Sequence, residues 1–261
     1  RINTANGGKM TFAGNLIVNT GGVFSGKDGT IEMAGSSAQN IQFQNSTLRN
    51  LVINSNVTLL DGMNLTGKLR FVGSNKSLNT GGFLALKSSD SLTAMVMDIT
   101  NGGSSTGNTI VGQATVERYI SARKAWRLLS MPTLHNAQTI KQSFQENASN
   151  QFDNPNPGYG TIIPGYSSTW RDLGFDTSGG SPSLRILTAA SSNWQPVIST
   201  IPSLSGSGYF EQPKAYLTFV RGDRSIGTTT TATSSTTLRE KGSLQVGPVT
   251  FNLGTTANNQ Y

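Results

Sequence analysis

The residues equipped for chemistry are few and scattered. The chain holds one histidine, His135, in Ser130-Met131-Pro132-Thr133-Leu134-His135, and no cysteine. No HExxH pair and no thiolate metal site can be assembled from that set. A serine nucleophile would need His135 as its base. No Gly-x-Ser-x-Gly elbow stands between a strand and a helix, and Ser205-Gly206-Ser207-Gly208 reads as turn material. Paired carboxylates are the next chemistry to seek, because two acids across one face cleave glycosidic bonds. The acids of the first 115 residues are Asp28, Glu32, Asp61, Asp90 and Asp98. Asp28 and Asp61 sit in Gly-containing turns, where Asp bends the backbone. Glu32 stands between two inward apolar residues and is expected to point outward. The acids do not concentrate on one face, so a polysaccharide lyase or hydrolase is an alternative that they do not favour.

Oxygen ligands for calcium would come from Asp153-Asn154-Pro155-Asn156 and from Arg171-Asp172-Leu173-Gly174-Phe175-Asp176. Neither has EF-hand or nonapeptide spacing. Loop Asp and Asn bonding their own backbone account for both, and no cofactor is expected. Arg221-Gly222-Asp223 spells the integrin-binding tripeptide. It directly follows Tyr216-Leu217-Thr218-Phe219-Val220, so it reads as a strand end entering a turn fixed by Asp223, with Arg221 or Arg224 pairing locally. Asn-x-Ser/Thr sequons begin at Asn45, Asn56, Asn64, Asn75 and Asn147; stacked Asn at strand corners is the simpler explanation. The aromatics Tyr159, Tyr166, Trp170 and Trp194 cluster around a proline-rich loop and are the candidates for glycan contact.

Composition narrows the classes further. Of 261 residues, 35% are hydrophobic and 13% charged, the latter about half the usual share. Hydroxyl and amide side chains do the solvating, which suits an extracellular surface. The net charge of +7 is spread along the chain. Its one dense cluster is Arg118, Arg123, Lys124 and Arg127, without the interleaved aromatics of a nucleic-acid stripe. No apolar stretch approaches the ~20 residues of a membrane span. The chain opens at Arg1 inside a pattern and stops at Tyr261 just after a strand pattern, as a segment of a longer protein would.

The elements that must position these residues are strands. Leu16-Ile17-Val18, Ile31-Glu32-Met33, Leu51-Val52-Ile53, Val57-Thr58-Leu59, Lys68-Leu69-Arg70-Phe71 and Leu84-Ala85-Leu86 alternate apolar and polar residues, separated by Gly, Asn, Ser and Thr turns. Apolar anchors recur at Leu16, Ile31, Leu51, Leu69 and Leu84. This spacing predicts an all-β fold that begins as a parallel β-helix-like solenoid over residues 1–114. The alternative is an antiparallel sandwich with short hairpins. From 115 to 261 the character changes: every tryptophan and all nine prolines lie here, which predicts a β-sandwich-like second domain continuing beyond the chain end. Only 136–146, with Ala137, Ile140 and Phe144 three and four apart, reads as helical. Thr228–Thr237 is low in complexity, a β-edge or a hairpin tip.

Thr115-Val116-Glu117-Arg118-Tyr119-Ile120, Ala125-Trp126-Arg127-Leu128-Leu129-Ser130-Met131-Pro132 and Ala215-Tyr216-Leu217-Thr218-Phe219-Val220-Arg221-Gly222-Asp223-Arg224 carry a resemblance. So do Ala38-Gln39-Asn40-Ile41 and Leu48-Arg49-Asn50-Leu51-Val52-Ile53. Together they resemble the large cell-surface and secreted proteins of Bacteroidetes exported by the type IX secretion system. The resemblance implies surface exposure and an adhesive or scaffolding role, and supplies no catalytic residues. It leads to the expectation of a non-enzymatic stalk, adhesin or filament segment. Its partners would be neighbouring domains, copies of the same protein or glycans, with no nucleic acid and no membrane span. The alternative is a carbohydrate-binding module.

Overall fold

Side chains that alternate apolar and polar cannot bury one face as a helix, so short strands follow. The computed structural model describes residues 7–246 except 23, 25, 135–137, 167, 180, 188–192 and 212–213, and only the backbone of 26 and 27. The first strands are β1 (Lys9–Phe12), β2 (Leu16–Ile17), β3 (Gly26–Met33), β4 (Gln39–Gln42), β5 (Thr47–Ile53), β6 (Val57–Leu59) and β7 (Met63–Leu65). They are followed by β8 (Lys68–Phe71), β9 (Ser77–Asn79), β10 (Leu84–Leu86), β11 (Met95–Val96), β12 (Thr109–Val111) and β13 (Gln113–Ile120). Then come β14 (Ala125–Ser130), β15 (Thr133–Leu134), α1 (Ile140–Phe144), β16 (Pro164–Gly165), β17 (Thr177–Ser178), β18 (Leu184–Leu187), β19 (Trp194–Pro196), β20 (Ala215–Val220) and β21 (Thr236–Leu244).

The chain forms two compact units, each from non-contiguous pieces. Unit 1 draws on Arg1–Ile120, Pro132–Ala137 and Thr237–Gly247, and unit 2 on Ser121–Met131 and Gln138–Thr236. In unit 1 a ten-stranded sheet runs β1-β3-β5-β7-β10-β13-β21-β15, with β8 and β11 branching from β5. A five-stranded sheet runs β12-β9-β6-β4-β2. Leu16, Ile41, Leu59 and Leu78 from the smaller sheet join Ile31, Leu51, Leu69, Met63 and Leu84 from the larger in one buried apolar cluster. At about 2 kcal/mol per fully buried aliphatic side chain, that cluster is the main stabilising term.

The fold differs from the expected solenoid and sandwich. The large sheet is mixed and open: its early ladders are parallel, but β15 closes against β21 antiparallel, Thr133 opposite Leu244. The apolar anchors do not form one rung. Ile31 aligns with Leu51 and Leu51 with Leu69. Leu16 instead meets Ile41 in the other sheet, and Leu84 stands between Met63 and Ala114. Anchors that recur at similar intervals in sequence belong to different sheets.

Unit 2 is no sandwich either. Its four-stranded antiparallel sheet, β14-β20-β18-β19, is joined by a two-stranded parallel pair, β16-β17. The buried face of the larger sheet carries Leu129, Leu184, Ile186, Tyr216 and Val220. A helix, not a second sheet, supplies its cover: the Phe210 ring lies 4.6 Å from that of Phe144 on α1 and 4.9 Å from that of Tyr216. Helix α1 starts with a capping box, in which the Thr139 hydroxyl accepts from the Gln142 N–H and the Gln142 side chain accepts from the Thr139 N–H. It stops because Glu146 and Asn147 turn to φ 54 and 57, leaving five helical residues where the periodicity predicts eleven. Among the described residues, no helix is long and apolar enough to cross a membrane.

Candidate functional site

The acids of unit 1 are mostly tied into its architecture. The Asp61 carboxylate accepts from the backbone N–H groups of Phe43 at 2.5 Å and Gln44 at 3.0 Å, and from the Gln44 side-chain amide at 2.8 Å. Gln44 and Asn45 have φ 51 and 56, so Asp61 satisfies donors where the backbone turns away from the ladder. Glu32 stands outward between Thr11 and Val52 in register, yet only 7% of it is exposed. It pairs with Lys9 and accepts from Thr11 at 3.3 Å and Asn54 at 3.2 Å. The Lys9 ammonium holds its carboxyl below the usual range against the opposing pull of burial. Asp98 accepts from the Thr100 hydroxyl and N–H, which lower its pKa. Asp28 lies 3.9 Å from Arg49, and Asp90 stands exposed in a loop.

The sequon asparagines of unit 1 are likewise occupied. The Asn56 Oδ1 accepts from the Ser77 N–H at 3.0 Å, and the Asn64 amide donates to the Asn45 carbonyl at 2.7 Å. Asn45, Asn75 and, in unit 2, Asn147 all hold positive φ.

In unit 2 the two loops considered for calcium come together around Arg224. Its guanidinium, wholly buried, donates to both Asp176 oxygens at 2.8 and 3.1 Å. It also donates to the carbonyls of Asn150 at 2.7 Å, Asp153 at 2.9 Å and Thr161 at 3.2 Å. All five guanidinium N–H donors are thereby used. The positive charge that these oxygens call for is an arginine of the chain itself, contributed from 48 residues after Asp176. Asp153 additionally accepts from the Ser149 N–H and hydroxyl, which hold its carboxyl low. Among the described residues, no three of His, Cys, Asp and Glu gather as metal ligands; His135 lies outside those residues.

The integrin-like tripeptide is a buried turn. Asp223 is 8% exposed and accepts from Gly158 N–H, Ser225 N–H and hydroxyl, and Ser234 hydroxyl. Burial pulls its carboxyl upward, but these bonds outweigh it and the net shift is downward. Gly222 has φ 146, and a Cβ there would lie 2.6 Å from the Ser234 hydroxyl, so only glycine fits. Arg221 lies over the Phe219 ring at 4.8 Å, and burial lowers its pKa. Arg224 pairs across the unit, not locally as expected.

The four candidate aromatics sit on separate elements. The Tyr159 N–H donates to the Asn156 carbonyl, closing a turn. Tyr166, 51% exposed, follows β16. Trp170 has the Arg171 guanidinium 4.9 Å from its ring centre. Trp194 opens the edge strand β19, opposite Leu187.

Two further features have no counterpart in the sequence reading. Glu240 on β21 is buried, and burial raises its pKa to about 7, the Thr133 hydroxyl beside it offsetting part of that rise. The second is a groove in unit 1. Strand β5 exchanges partners midway, pairing with β7 at Thr47–Leu48 and with β8 from Leu51 onward. At the exchange, Arg49 and Asn50 both stand off the core. Gly67, between β7 and β8, passes so close that a Cβ there would lie 2.6 Å from the Arg49 carbonyl oxygen. The step leaves a groove of about 670 Å³ carrying Lys9, Arg49, Lys68 and Arg70. Charges counted along the sequence look dispersed; parallel register gathers them.

Comparison with protein-family models, curated proteins and solved structures gives no match.

Proposed function

We propose that this chain is a non-enzymatic segment of an extracellular bacterial surface protein, serving as stalk, adhesin or filament component. The observation that carries the reading is the commitment of its acids to architecture. Asp61, Glu32, Asp98, Asp153, Asp176 and Asp223 each hold backbone or side-chain partners that fix turns and loops. An acid held this way is a poor proton shuttle, because taking up a proton would cost it the hydrogen bonds it accepts. The low charge content and the resemblance of the ordered motifs to Bacteroidetes surface proteins support the same reading. Neighbouring domains or further copies are the partners it implies, since open sheet edges seek pairing.

Antibodies raised against the purified chain test it. Labelling of intact, unpermeabilised source cells is the expected result; labelling only after permeabilisation overturns the location. Turnover of an acidic polysaccharide by the purified chain, abolished in Asp61→Ala, overturns the non-enzymatic role.

A further inference from the structure

We propose that the groove across β1, β3, β5 and β8 binds an acidic oligosaccharide, its carboxylate or sulfate groups held by Arg49, Lys68 and Arg70. The inference goes beyond the structural role above and does not depend on where the chain resides. Charge is its first support. Lys68 and Arg70 are exposed and two apart on one strand face, hence about 6.6 Å apart along it. Among the described residues, neither makes a side-chain hydrogen bond or ion pair. Of the acids on β3, Glu32 is taken up by Lys9, and Asp28 lies 3.9 Å from Arg49. Asp90 adjoins Ser91 on the loop wall. Among the described residues, Lys68 and Arg70 on β8 thus present positive charge without an ion-pair partner.

The lining is the second support. Thr30, Asn50, Thr66, Ser91 and Thr93 bring hydroxyl and amide groups of the kind that hydrogen-bond sugar hydroxyls. Among the described residues that line it, none is aromatic, so the bases of a single-stranded nucleic acid would find no stacking partner among them. That favours a glycan over a polynucleotide. The site is also set before binding: the Asn50 Oδ1 accepts from the Lys68 N–H at 2.9 Å, and the Asn50 amide donates to the Thr30 hydroxyl at 3.4 Å. Strands already ordered lose little entropy when a ligand arrives.

Calorimetry on the full chain tests this, with polygalacturonate and dextran sulfate as acidic probes and neutral dextran and oligothymidylate as comparisons. Both acidic polymers are expected to bind, more weakly as salt rises. The double variant Lys68→Glu/Arg70→Glu should bind them about 100-fold more weakly, about tenfold for each lost charged contact. Arg118→Glu/Arg123→Glu changes the net charge equally at exposed positions outside the groove and should leave binding within about threefold. The proposal is overturned by absence of binding, by equal loss in the two double variants, by neutral dextran binding as well as the acidic polymers, or by oligothymidylate binding more tightly than either.

Discussion

Along the ladders of unit 1, Asn15, Asn50, Asn56 and Asn108 each accept one backbone N–H from a neighbouring segment, at 2.8–3.0 Å. In unit 2 one side chain, Arg224, makes five hydrogen bonds that tie Asn150, Asp153, Thr161 and Asp176 together. The first arrangement distributes polar bonding over equivalent, exposed or half-buried positions, where water can replace a lost partner. The second concentrates it in a site without water access, where a lost partner leaves several orphaned groups. A repetitive ladder is therefore expected to lose stability in small steps, and the aperiodic unit in one large step.

Arg224→Ala is the strongest way to break that contrast. It leaves Asp176 charged and buried without its guanidinium partner and the carbonyls of Asp153 and Thr161 without their Arg224 donors, at a cost of about 3–5 kcal/mol. All three tryptophans lie in unit 2, so tryptophan fluorescence during urea unfolding reports that unit selectively. A large drop in the fluorescence midpoint is expected. The double variant Arg224→Met/Asp176→Leu should recover only part of it, because the carbonyls of Asp153 and Thr161 remain without their Arg224 donors. Full recovery would show that the pair, not the carbonyl set, is what unit 2 depends on.

Glu240 makes unit 1 sensitive to pH. Burial raises its carboxyl from 4.5 to about 7. Between those values the unfolded chain has released the proton and the folded chain keeps it, so stability falls as pH rises, by about 3 kcal/mol across the window. Below the window both states are protonated, and above it the loss is complete. Glu240→Gln should flatten this limb in denaturant titrations followed by far-ultraviolet circular dichroism. An unchanged slope would mean that the carboxylate is solvated in the folded chain. Asp61→Ala comes next, at about 2 kcal/mol, since it orphans the Phe43 and Gln44 N–H groups.

Much of the strand pattern was legible in sequence. Thr115–Ile120 falls within β13, and Ala215–Val220 is β20 as alternation predicts. Register was not. Leu16 and Ile31 look like successive anchors because both are buried aliphatics at a short interval, yet they pair with Ile41 and Leu51 in different sheets. Gly208–Phe210 alternates like a strand but is irregular, its Phe210 filling the space between α1 and β20. Thr228–Thr237 stays irregular until β21 begins at Thr236. Val246–Leu253 reads as a strand in sequence but lies almost wholly outside the described residues. The Arg224–Asp176 pair could not be found from local spacing, because its partners are 48 residues apart. The same holds for the groove, whose cations meet only through parallel pairing.

The finest test of a distributed ladder is the loss of single rungs. Asn56 is exposed, and its Oδ1 accepts from both the N–H and the hydroxyl of Ser77. Its own backbone carbonyl, which accepts from the Gln39 N–H at 2.8 Å, is untouched by truncation. Asn56→Ala should therefore cost about 1 kcal/mol, with water taking over the freed donors. Asn15→Ala, which frees the Asn40 N–H, should cost a similar amount. The two share no partner, so in the double variant the costs should add to within about 0.5 kcal/mol. Coupling well beyond that would mean that one rung sets the geometry of the next. The ladder would then resemble the Arg224 cluster more than a sum of independent bonds, and the contrast between the two units would reduce to a difference in burial.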